Sequence, residues 1–330
     1  MALLRRNWFN LALLLLLATA YLTRHLGLEL GPVRPSDLSI ALVAGIFLIT
    51  GLLSPLSAFR AGVANIRLHV FAQVFAFVFV PAVTWVLLLF VGDFLVPEMR
   101  QGILLLAILP TTITSCTIYT TMAGGNVTGA AFNAFLGNFI GVMLTPLLFV
   151  FLVAPGAGLE IAWQRLGSLI LLIIVPFTVG LLIRKKLGDI PTGVAEKLPL
   201  ASALALLTII FLAFQGMFAP GSPLWEWSAL QLALPMAFLL GLHLFLLLAA
   251  WMLSAWSGLH GPDRTAALFV GTQKTIALGL PLIHFFMATE PHLAGALAIP
   301  LIIYHPMQML IAAFVAQRIV RRTERLREMG

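Results

Sequence analysis

The chain has 330 residues, 61% of them hydrophobic and only 9% charged, with a mean hydropathy of +1.06. Soluble domains carry roughly 25% charged residues, so this sequence cannot clothe a water-facing surface and is predicted to use the bilayer as its solvent. The net charge of +7 sits mostly in connections and at the C-terminus, where it reads as topology signal and lipid-headgroup contact and not as a nucleic-acid surface, and the single cysteine, Cys116, excludes an internal disulfide or a cysteine metal cluster.

In chain order, Arg5–Arg6 precede an apolar run, Trp8–Leu22, whose Ala18-Thr19-Ala20 stretch looks like a signal peptide. The other reading is a first transmembrane helix near 8–24, which completes the symmetry described below. Apolar runs long enough for the ~20 residues of a spanning helix predict further spans near 37–54, 68–91, 101–122, 127–153, 165–183, 196–216, 228–256, 264–286 and 293–317. With the N-terminus on one side, that side holds 14 of the 19 lysines and arginines, among them Arg67, Arg184, Lys185, Lys186, Lys197, Arg264 and the five arginines from Arg318 to Arg327. The opposite side holds four (Arg24, Arg34, Arg100 and Arg165), and Lys274 falls inside a span. This positive-inside bias predicts two cytoplasmic termini. The short loops suit a bacterial inner-membrane protein.

Spans one to four and six to nine begin at a constant offset of roughly 160 residues, the weak internal symmetry of transporters. Two five-helix repeats, 1–155 and 156–330, would then enter from opposite sides, giving an all-α membrane protein of ten helices in a five-plus-five inverted repeat. The fourth and ninth spans share an abnormality. After Pro110 the fourth carries Thr111, Thr114, Ser115, Thr117, Thr120 and Thr121, which at 100° per residue occupy nearly every face; the ninth carries Thr272, Gln273, Lys274 and Thr275 in a row. Helices polar all round cannot face lipid, and unwound backbone at membrane depth must be buried or line a cavity. The fourth and ninth spans are therefore predicted to be interrupted and to build a binding site.

Several stretches carry a resemblance to a known family. Gly51-Leu-Leu-Ser-Pro-Leu-Ser-Ala-Phe59 with a following span that ends in Pro81, Ala123-Gly-Gly-Asn-Val127, and Val270-Gly-Thr-Gln-Lys-Thr275 are similar to motifs of the bile acid:sodium symporter family, in the divergent branch grouped with its seventh mammalian member. The order and spacing match over essentially the whole chain. The resemblance implies a panel domain of helices one, two, six and seven, a core domain of the rest with helices four and nine unwound and crossing, and cargo such as sterol-conjugate organic anions bound near that crossing with sodium. This sequence departs from the sodium-ligand pattern. Phe269 stands where the family has a glutamate, Lys274 where it has an asparagine, and Ser115-Cys116 or Cys116-Thr117 where it has a Ser-Asn pair. Ala130 and Ala134 replace hydroxyls, and the helix-three glutamine aligns near Ala76, a turn from Gln73.

Losing a carboxylate and gaining an ammonium reverses the electrostatics of a sodium site. Lys274, an intramembrane charge and hence a functional candidate, is expected to occupy the region of one sodium, to act as a proton-coupled switch, or to be satisfied by carbonyls of the unwound segment with no transport role. Asn133 and Asn138 would line the cation region or bridge helices. His305, in Tyr304-His-Pro-Met-Gln308, would titrate or serve as a structural histidine, and His243 has no evident partner in sequence. Trp225 and Glu226 beside Pro223 read as an interfacial anchor. The candidate site is thus Thr114, Ser115, Thr117, Asn133, Asn138, Gln73, Thr272, Gln273, Lys274, Thr275 and His305. No metal-ligand spacing, phosphate loop or nucleophile elbow occurs, so an enzyme is not expected. The leading expectation is a secondary transporter of a small organic anion working by alternating access, with Lys274 and the helix ends at the crossing receiving the anion, no resident cofactor, and ordinary two-sodium coupling disfavoured. The second is a non-transporting regulatory membrane protein on the same scaffold, affecting ion homeostasis.

Overall fold

A computed structural model describes residues 2–25, 35–53, 65–153, 159–188, 191–287 and 291–328; these are helices and short connections, with no strand among the described residues. Helix satisfies every backbone donor and acceptor within one segment, which is what a lipid environment demands. The helices are Ala2–Leu22, Pro35–Leu53, Ile66–Val74, Val80–Val91, Pro97–Ile108, Ile113–Met122, Val127–Leu148, Leu159–Leu187, the short Thr192–Ala195, Leu198–Phe218, Ala229–Trp256, Gly261–Thr272, Ile276–Phe286 and Pro291–Glu328, with π-turns at Phe75–Phe79 and Phe149–Val153. Among the described residues, six helical stretches are long and apolar enough to cross a bilayer; the pair Pro97–Ile108 and Ile113–Met122, bent by 64°, makes a seventh. The Ser54–Phe59 end of the Gly51–Phe59 stretch, Arg34 and Arg60 lie outside the described residues, as do the side chains of Arg5, Arg6, Arg165, His284 and the arginines beyond Arg321.

The chain divides into two compact units. The first comprises Met1–Ser54, Ala154–Leu232 and Ala277–Ile299. Its centre is a backbone-to-backbone contact. A Cβ on Gly51 would land on the Phe177 carbonyl oxygen, and one on Gly180 on the Leu48 carbonyl oxygen. Only glycine permits that reciprocal approach of Pro35–Leu53 and Leu159–Leu187. Gln215 Nε2 donates to Thr23 Oγ1 at 2.6 Å and ties Leu198–Phe218 to the end of the first helix. Trp225 packs with Tyr21 and Phe218, the Arg24 guanidinium lies 4.1 Å from the Tyr21 ring centre, and Trp225 Nε1 donates to the Ala219 carbonyl. Around Trp225 these rings and the Arg24 guanidinium form one cluster.

The second unit comprises Pro55–Val153, Ala233–Ile276 and Pro300–Gly330. Asn65 and Asn126 cap their helices by accepting from Leu68 N–H and Gly129 N–H, at 3.2 and 2.8 Å. Proline in the first turn starts Pro97–Ile108 and Gly261–Thr272, where its missing N–H costs nothing. Val70, Val74, Val78 and Leu89 form an exposed apolar stripe along one face, fit for lipid. The span Gly261–Ile283 differs: 94% of its apolar window is buried, against 33–50% in the other five. Its consecutive polar residues are enclosed by protein, as the sequence requires.

Candidate functional site

Both polar-interrupted spans are broken, and the breaks meet. Pro97–Ile108 ends because Leu109 precedes Pro110, which drives it into extended conformation (φ −72°, ψ 148°). Helix resumes at Ile113. Gly141 makes room for the proline, since a Cβ there would sit 2.8 Å from Pro110 Cγ. On the other strand of the crossing, Gly261–Thr272 gives way to an extended Gln273 (φ −84°, ψ 126°), and helix resumes at Ile276. Thr275 N–H donates to Pro110 O at 2.9 Å, and the Thr111 hydroxyl donates to Gln273 O at 2.5 Å.

A broken helix frees carbonyls that must find donors. From Leu106 to Thr112 each has one. Leu106 O accepts from Leu109 N–H, Ile108 O from the Thr145 hydroxyl at 3.0 Å, Thr111 O from Asn138 Nδ2 at 2.7 Å, and Thr112 O from Cys116 N–H. Ala107 O and Leu109 O accept from Lys274 Nζ at 2.9 and 2.8 Å. The third proton of Nζ goes to Ala76 O at 3.0 Å. An ammonium has three protons, and all are committed to backbone oxygens. Lys274 is 2% exposed. Its charge rests against the C-terminal carbonyls of Pro97–Ile108, where the helix dipole favours a cation.

The second break is held by a residue outside the predicted set. Gln308 accepts from Lys274 N–H through Oε1 and donates to Lys274 O through Nε2, both at 2.7 Å, so its amide pairs with the Lys274 backbone as a neighbouring strand would. His305 Nδ1 lies 3.3 Å from Gln308 Nε2. Tyr304 OH donates to Thr272 O at 3.4 Å and lies 2.7 Å from His243 Nδ1, so His243 does have a partner, in Pro291–Glu328. A single amide two residues after Pro306 in an apolar stretch is the only sequence trace of Gln308, and it does not say what the side chain holds.

The predicted residues divide. Ser115, Gln273, Lys274, Thr275 and Asn138 converge on the crossing: the Ser115 hydroxyl donates to Gln273 Oε1 at 3.3 Å. Thr272 lies there too, with its hydroxyl turned back to Leu268 O. Asn133 and Gln73 form a neighbouring knot: Gln73 Nε2 donates to Asn133 O at 3.1 Å, Asn133 Nδ2 donates to Gly129 O, and His69 Nδ1 is 3.2 Å from Asn133 Oδ1. Thr117 bonds the Ile113 carbonyl of its own helix, and Thr114 lies on an exposed face. Phe269, which stands where the resemblance implied a carboxylate, is fully buried and packs on Tyr119. The Gln273 Nε2 donor is buried with no partner, and Thr112 supplies no side-chain cap to the helix starting at Ile113.

A second cluster, also missed, pins three helix starts. Asp263 accepts from Asn65 Nδ2 at 2.6 Å and from Asn126 Nδ2 at 2.7 Å, while Asn126 N–H donates to Pro262 O. Both asparagines are the caps described above, so one carboxylate fixes where Ile66–Val74, Val127–Leu148 and Gly261–Thr272 begin.

Residues 7–321 match the SBF-like CPA transporter family. The chain is 27% identical over 319 residues to sodium/bile acid cotransporter 7 of Mus musculus, covering 96% of this chain and 93% of the relative. It is 29% identical to the Danio rerio protein of the same name, covering 94% and 92%. It is 30% identical over 282 residues to an uncharacterized protein of Pseudomonas aeruginosa, covering 84% and 83%. With broken helices crossing inside a bilayer-compatible scaffold and a family match across nearly its full length, the chain belongs to the SBF-like CPA transporter family.

Proposed function

We propose that the protein is a secondary transporter that carries a small organic anion by alternating access through the crossing of its two broken helices, without obligatory sodium. Membership of a transporter family supports the first part. The anion preference rests on the polarity left over at the crossing. Its carbonyls have donors, whereas the Gln273 amide nitrogen is an unmatched buried donor and the uncapped first turn at Ile113 offers N–H groups. Unmatched donors at a helix N-terminus suit an anion. Sodium ligands do not fit the residues present: Phe269 supplies no oxygen, Ser115 is turned to Gln273, and the carbonyls nearest the break hold Lys274. Because Lys274 directs all its protons to carbonyls, it shapes the crossing and leaves reception of the anion to Gln273 and the helix ends.

The architecture proposed for this function is ten helices in two inverted repeats, 1–155 and 156–330, with panel and core groups interleaved. The division of the chain supports it: one unit contains the helices from the first, second, sixth and seventh spans, together with Ala277–Ile299. The basic residues support two cytoplasmic termini in a bacterial inner membrane. Uptake of taurocholate and estrone sulfate into proteoliposomes tests the function. Accumulation driven by a gradient of protons or of the anion's counter-solute is expected. Equilibration only down the anion gradient would indicate a channel, and no flux under any gradient would return the chain to the regulatory reading.

A further inference from the structure

The three oxygens around Lys274 Nζ are each freed by a distinct feature of the backbone. In the π-turn at Phe75–Phe79, Val80 N–H reaches Phe75 O, five residues back. The next residue in that frame is Pro81, which has no N–H. The Ala76 carbonyl it would have taken accepts from Lys274 instead. Ala107 lies in the last turn of Pro97–Ile108, with no continuing helix to supply its donor, and Leu109 is held extended by Pro110. These oxygens, from chain positions 165 to 198 residues away from Lys274, surround one nitrogen at 2.8–3.0 Å. That is the contact range of an ammonium with carbonyl oxygens.

We propose that this oxygen cage is a monovalent-cation site filled from within by Lys274, and that cutting the side chain back to Cβ opens it to an external ammonium-type or alkali cation. A cage of backbone oxygens is indifferent to how its cation is delivered; what it requires is positive charge of the right size at its centre. The protonated tethered amine supplies this from within the chain, so the crossing needs no cation from the surrounding salt. Mobile sodium beside it would meet a fixed like charge in a dry site. The site is a property of the crossing and does not depend on which anion, if any, is carried; its test reads stability, so it can fail while the transport reading stands, and the reverse.

The test is thermal melting of detergent-purified Lys274→Ala and wild-type protein in choline chloride, with choline replaced at equal ionic strength by propylammonium, sodium or potassium, and with neutral propanol as control. Propylammonium is the fragment the substitution removes, Cγ to Nζ. The variant is expected to melt well below wild type in choline and to regain most of the loss in propylammonium, with alkali ions restoring part of it and propanol much less. Wild type is expected to melt alike in all four salts. Equal restoration by propanol would mean that only a void had been filled, and restoration by no cation would equally overturn the site. Should Lys274→Ala not accumulate, Lys274→Met decides the matter through its amount in membranes and its melting: it fills the volume but leaves three carbonyls without a donor. A loss in either is expected, and wild-type yield with wild-type melting would overturn the proposal.

Discussion

Between Leu109 and Thr112 the chain leaves its helix for a reason written locally: a proline removes a donor and forces its predecessor to extend. Between Gln273 and Thr275 there is no proline, and the nearest, Pro281, lies inside the following helix. That break exists because distant groups claim its backbone: Gln308 takes both polar atoms of Lys274, Thr111 takes Gln273 O, and the Lys274 side chain is drawn to Ala76, Ala107 and Leu109. The two breaks therefore have different origins. The first follows from its own sequence and offers carbonyls, while the second is held by groups that come from elsewhere in the chain.

This difference can be broken experimentally. Gln308→Leu should have the largest effect, because it leaves a buried N–H and a buried C=O of Lys274 unpaired, at about 1–3 kcal/mol each. A drop of many degrees in melting temperature in detergent is expected. Wild-type melting would mean that the second break needs no clamp. Pro110→Ala should cost less, about 0.4–1 kcal/mol through the freer unfolded chain, because Thr145, Asn138, Thr275 and Lys274 still hold the first break open. A loss as large as that of Gln308→Leu would show that the local signal alone holds it. Thr117→Val should have the smallest effect, within about 0.6 kcal/mol, because its hydroxyl bonds only its own helix. The same melts check it.

These origins also explain what could be read from sequence. Pro110 and the run Thr272–Thr275 announced both interruptions, because proline geometry and the cost of polar groups in lipid act on a few neighbouring residues. Helix starts at Asn65 and Asn126 were equally local, whereas the Asp263 carboxylate that joins them is 198 and 137 residues away. Thr114 and Thr117 looked like site residues by type and position, but the helix turns them away from the crossing. Gln308 carried no local pattern, being one amide in an apolar span, and its meaning comes from the partner 34 residues earlier. Phe269 and Lys274 were legible as departures from the sodium-ligand pattern, and engagement of Lys274 with carbonyls of an unwound segment was one reading of it; which carbonyls it takes, and that Gln273 is left as the free donor, depended on tertiary placement.

Gln273→Glu is the most direct challenge to the crossing as the anion's path, since it keeps the side chain's size and exchanges the unmatched amide donor for a carboxylate. Uptake of taurocholate and estrone sulfate would be compared for wild-type and variant proteoliposomes in sodium-free buffer. Wild type is expected to accumulate the anion, and the variant to lose at least about tenfold in initial rate, equivalent to about 1.4 kcal/mol. Equal rates in the two proteins, or wild-type uptake that appears only when sodium is added, would contradict an anion path built on Gln273 and a crossing that carries its own cation.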